Sequence, residues 1–69
     1  MLNDYSMKTI TFDNGWTVSI RAGREVAAWD KDGNRHNFGW DTVEFMEPRQ
    51  RDAFILQVEE GRGLNPEIN

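Results

Sequence analysis

The chain contains no cysteine, one histidine, no long apolar run and few basic residues relative to acidic ones. Without cysteine there is no disulfide framework and no thiolate metal cluster, a composition compatible with a reducing compartment. No apolar stretch approaches the roughly 20 residues that span a bilayer, and no basic-then-apolar signal follows Met1. The expectation is a soluble, cytoplasmic protein without membrane partners. Eight Lys and Arg against twelve Asp and Glu give a net charge of −4, which opposes a phosphate-binding surface. Sixty-nine residues make one domain, 1–69, with 1–6 and 62–69 read as flexible tails unless Leu64 and Ile68 dock the second. Such a chain buries only about 60% of its unfolded surface, so a second copy would be a natural source of further burial.

The strongest local signal lies in residues 7–21, where two alternating segments flank Asp13-Asn14-Gly15. Period-two alternation around Asn-Gly predicts a β-hairpin, with strands near Lys8–Phe12 and Trp16–Arg21. Ile10, Phe12, Trp16, Val18 and Ile20 share one apolar face; Thr9, Thr11, Thr17, Ser19 and Arg21 share a solvated one. A third strand follows over Glu25–Asp30, weakened by Ala27-Ala28. The Lys31–Asn34 turn then returns the chain through Arg35–Phe38. Gly39 permits a bend or bulge, and Trp40–Met46 reads as strand, with Val43 and Phe45 alternating against Thr42, Glu44 and Met46. Residues 35–46 form either one bulged strand or two short ones.

Pro48 marks the first turn of a helix, Glu47 adds charge where the helix dipole favours it, and Gly61 is its left-handed C-cap. Phe54, Ile55 and Val58 form its core stripe, and Leu56 lies about 150° away from it. Leu56 therefore faces solvent, a partner, or a returning tail through Leu64. Arg51 is a charge on the core stripe, to be explained by snorkelling or by a carboxylate such as Glu44. The fold class is α+β: an antiparallel β-meander of three to five strands with one C-terminal helix packed on one face.

Chemistry-bearing residues are sparse. His36 reads as a surface histidine after a turn, because Ser6 and Ser19 stand in no nucleophile elbow. Asp30-x-Asp32-x-Asn34 imitates the start of a calcium loop, but Gly33 falls at position four and Asp41 at twelve, where an EF-hand needs Gly at six and Glu at twelve. Turn chemistry explains these residues instead. Arg21, Arg24, Lys31 and Arg35 beside Trp29 resemble a single-strand nucleic-acid strip, largely cancelled by Glu25, Asp30 and Asp32. No catalytic, metal or cofactor set emerges.

Trp16 is expected in the core, whereas Trp29 and Trp40, flanking turns, divide between core edge and contact surface. The order Asn14–Ile20, Glu25–Asp30 with Asp32-Gly33, Asp41–Glu44 and the helical Phe54-Ile55-x-x-Val58 resembles small uncharacterised proteins encoded by bacteria and their phages. The likeness covers residues 12–60 and rests on strand and turn residues. It implies no activity, but a genetic setting in which small acidic proteins act by binding, including as inhibitors of host defence enzymes. The expected function is a non-catalytic protein-binding module, in its most concrete form an inhibitor of a host or defence protein that handles nucleic acid. Its expected contact residues are Trp29, Trp40, Asp41, Glu44, Glu47, Leu56, Glu59 and Glu60, meeting a basic surface by electrostatic steering. The alternatives are a structural homodimer, through a sheet edge or Leu56, and a weak single-strand nucleic-acid binder.

Overall fold

The computed structural model describes residues 7–39 and 44–66. Four antiparallel strands, β1 (Met7–Thr11), β2 (Thr17–Arg21), β3 (Glu25–Trp29) and β4 (Glu44–Phe45), lie in sequence order in one sheet, followed by helix α1 (Pro48–Glu60). This is the α+β meander with a C-terminal helix.

The first hairpin closes where Asn-Gly places it. Phe12 N–H donates to Trp16 O at 2.8 Å and Gly15 N–H returns to Phe12 O at 2.9 Å. Gly15 holds φ at 91°, a conformation that side chains with a Cβ resist. A Cβ there would also sit 2.8 Å from that of Lys31. Because the turn takes up Phe12 and Trp16, β1 ends at Thr11 and β2 starts at Thr17, slightly inside the expected limits.

Beyond β3 the described part of residues 35–46 takes the second option, two short pieces. Arg35 bridges Trp29, and His36 N–H donates to Ala28 O at 2.8 Å. The ladder then breaks, and β4 resumes it with Val26 opposite Glu44 and Glu25 opposite Phe45. Two short pieces thus run along one edge of β3. This register corrects the expected alternation of β4. Cross-strand partners share a face, so Glu44 lies on the helix side with Val26, while Phe45 lies on the outer side and is 68% exposed. Met46, assigned to the polar set, packs against the core instead. Val43, in the same alternation, falls outside the described residues.

Val18, Ile20, Val26, Ala28, Phe54 and Val58 form the core, flanked by Phe12, Trp16, Phe38, Met46, Ile55 and Leu64. Helix α1 supplies the expected Phe54/Ile55/Val58 stripe. Its start is set by Pro48 and by Gln50 Oε1 accepting from Glu47 N–H at 3.2 Å. Gly61 ends it at φ 73°. Asn14 adds a second cap from across the molecule: its Nδ2 donates to Val58 O at 2.8 Å, so the hairpin turn is bolted to the helix C-terminus. Arg51 snorkels to the β2–β3 turn, donating to Gly23 O at 2.9 Å and pairing with Asp52 at 3.2 Å. The suggested partner Glu44 is not the one it takes.

The tail takes the docked option as far as Pro66. Leu64 packs on the core, Gln57 Nε2 donates to Gly63 O at 3.2 Å, and Asn37 N–H donates to Asn65 O at 2.9 Å. The position of Ile68, like that of residues 1–6, lies outside the described residues. His36 is the anchor of this contact, and its expected surface position is overturned. It is only 6% exposed, with ring centroids of Phe38 at 4.5 Å, Phe54 at 5.4 Å and Trp16 at 6.4 Å. Its Nδ1 accepts from Asn65 N–H at 3.0 Å, which places the neutral ring's proton on Nε2. The turn after β3 delivers the side chain inward because His36 pairs opposite Ala28, itself a core residue.

Candidate functional site

Helix α1 covers one face of the sheet, and the register lays out what stands on the other. Met7, Arg21, Glu25 and Phe45 form one row across the strands. Thr9, Ser19 and Ala27 form the next, and Thr11, Thr17, Trp29 and Arg35 the third. Hydroxyls pair along these rows, Thr9 with Ser19 at 3.3 Å and Thr11 with Thr17 at 3.1 Å, which satisfies them locally. At the centre Ala27, with a single methyl, lies recessed at 8% exposure between taller neighbours. The result is a shallow groove of about 340 Å³ lined by Met7, Ser19, Arg21, Glu25, Ala27, Trp29 and Arg35.

Charges around this groove are engaged within the protein. Arg21 Nε lies 3.3 Å from Glu25 Oε2, and the Arg35 guanidinium carbon stands 6.0 Å from the Trp29 ring centroid. Arg21 and Arg35, with Trp29, belong to the anticipated basic strip, and here they form part of the groove's own wall. Met7, at 61% exposure, and Phe45 are two of the large apolar side chains presented to solvent.

The remaining residues expected at a contact surface do not converge. Trp29 is half-buried in the groove. Glu44 lies in β4 and Glu47 caps the start of α1, whereas Glu59 and Glu60 lie at the other end of that helix, a length of about 20 Å for thirteen residues at 1.5 Å each. Glu44 is half-buried and Glu47 is the N-cap residue. Glu60 is paired with Arg62 at 2.6 Å. Leu56, 53% exposed, stands on the outer helix surface beside Ala53, Glu60 and Arg62, as the helical wheel places it. Trp40 and Asp41 lie outside the described residues.

Asp30 shows how turn chemistry claims a carboxylate. Its Oδ1 accepts from Asp32 N–H and Asn34 N–H, both at 2.9 Å, and its Oδ2 from Asn34 Nδ2 at 3.1 Å. These bonds, that of the Asn34 backbone first, hold its pKa below the ordinary value of 3.8. Among the described residues no group of three or more His, Asp or Glu is placed to hold a metal ion, and no helix is long and apolar enough to cross a membrane.

Met7 and Ala27 are groove residues that sequence reasoning missed, and so was the outward Phe45, which ends the row that Met7 begins. Ala27 carried a readable signal: its parity with Glu25 and Trp29 puts a small residue in the middle of the outer face. Phe45 carried none, because the break in the ladder after His36 resets the parity of whatever follows. No protein-family model, curated protein or solved structure matches this chain.

Proposed function

We propose that this protein is a non-catalytic protein-binding module that engages its partner through the sheet face turned away from the helix. The observation that carries this reading is the recess over Ala27, walled by Trp29 and Met7, on a face left uncovered among the described residues. Apolar surface around a concave centre, with aromatic and Arg side chains at its border, is the composition of an interaction hot spot. The partner that fits is a protein surface offering one bulky apolar side chain to the recess. In its most specific form the module inhibits a host or defence protein that handles nucleic acid. Support for that form comes from the acidic balance of the chain and from its resemblance to small uncharacterised proteins encoded by bacteria and their phages.

Parallel capture from host lysate with the wild type and two variants tests the reading. Ala27→Arg fills the recess, whereas Glu59→Lys with Glu60→Lys reverses charge at the helix end and leaves the groove intact. The expected result is loss of the captured protein by Ala27→Arg alone, with both variants folded by circular dichroism. Retention by Ala27→Arg and loss by the charge reversal would assign binding to the acidic helix surface and reject the groove.

A further inference from the structure

We propose that residues Arg62–Pro66 form a strap latched by His36, and that protonation of this imidazole releases the strap while the sheet and helix stay folded. The latch is a hydrogen bond with a defined polarity. Asn65 N–H donates to His36 Nδ1 at 3.0 Å, so the ring must present a lone pair there. A second proton on the ring converts Nδ1 into a donor. Two donors then face each other, and the bond is replaced by repulsion. The adjoining Asn37–Asn65 bond and the His36–Pro66 bridge belong to the same seam and lose their register with it.

The surroundings give the charged ring nothing to compensate. Trp16 and Phe38 meet it edge-on, Phe54 lies tilted across it, and Ala28 takes its backbone N–H. None of these carries charge. From β4, the titratable Glu44 lines the hollow that Phe38 and Phe54 also line. On the strap, Arg62 is paired outward with Glu60. Arg35, the preceding residue, stands over Trp29 on the other face. Among the described residues no ion pair reaches the ring. Burial accordingly lowers the His36 pKa from its ordinary 6.5. Releasing the strap removes the donor that covers Nδ1 and opens that side of the ring to water. It frees one short segment held by Leu64, Gln57 and the seam, and leaves the β1–β2–β3 ladder and the Asn14 cap untouched.

Amide hydrogen exchange and imidazole NMR on the full chain, between about pH 7.5 and pH 5, test this. As His36 titrates, protection at Asn37 and Asn65, corrected for intrinsic exchange, is expected to fall about tenfold or more, the scale of one buried hydrogen bond lost. Protection at Val18, Val26 and Ala28 is expected to persist. Protection of Asn65 that survives titration of His36 overturns the proposal. So does simultaneous loss of all protection, which would mean global unfolding. In His36→Asn, the amide oxygen replaces Nδ1 as a non-titrating acceptor, and Asn65 should stay protected at low pH. If that variant fails to fold, the wild-type exchange pattern decides alone.

Discussion

Asn14 does two jobs with one side chain. Its Oδ1 accepts from Trp16 N–H at 3.0 Å, which shapes the hairpin, and its Nδ2 donates to Val58 O at 2.8 Å, which caps the helix. Asp satisfies turn preferences as well as Asn does, so a turn-only role tolerates Asn14→Asp. The cap does not, because a carboxylate would face the negative end of the helix dipole and the carbonyls it should satisfy. A lost hydrogen bond and an adverse dipole contact together cost about 1–2 kcal/mol. At roughly 4–8 °C per kcal/mol for a domain this size, Asn14→Asp is expected to lower Tm by about 4–16 °C in a thermal melt. An unchanged Tm would show that the cap contributes nothing.

At the scale of the element, helix α1 separates core from surface within two residues. Phe54 is buried against Phe38 and His36, with the Phe38 ring centroid at 5.1 Å. Leu56 projects outward. Removing a buried phenyl costs about 3–5 kcal/mol. A domain of this length has only about 3–10 kcal/mol in total, at roughly 0.05–0.15 kcal/mol per residue. Phe54→Ala is therefore expected to lose most of its helical circular dichroism at 37 °C. Leu56→Asp should shift the denaturant midpoint by no more than about 0.5 kcal/mol in equivalent stability. Equal losses in both would mean that Leu56 is covered in solution, as a dimer through this helix surface requires. Strand β4 teaches the opposite lesson: two residues long, it takes its facing from its register with β3, and its own alternation had pointed elsewhere.

For the whole molecule, the two shifted groups give an acid profile in two steps. The folded-state pKa of His36 lies below its ordinary 6.5, so the folded protein binds this proton less readily than the unfolded chain. Its contribution is fully present above pH 6.5 and is lost as pH falls from there toward the folded value. Asp30, held below 3.8 by its hydrogen bonds, contributes stability above pH 3.8 that disappears as pH falls through its folded value. Urea midpoints measured across this range are expected to be flat above pH 6.5, to decline below it, and to decline again below pH 3.8. His36→Asn should erase the first step alone. A midpoint constant between about pH 7.5 and pH 5 would contradict the buried, neutral imidazole.

The hairpin over residues 7–21, the helix from Pro48 to its Gly61 cap, the Phe54/Ile55/Val58 stripe and the α+β class were all legible in the sequence. Each rests on interactions spanning a few residues: a Gly at positive φ, a ring without an N–H, a period of 2 or 3.6. The inward turn of His36, the reach of Asn14 to Val58 and the outward Phe45 were decided by tertiary structure alone, and the recess at Ala27, whose parity the sequence carried, was completed by it. The first two join residues 29 and 44 positions apart. The third depends on where a broken ladder resumes. The recess depends on which of two sheet faces the helix covers. Periodicity records which residues share a face; only packing decides what, if anything, lies against it.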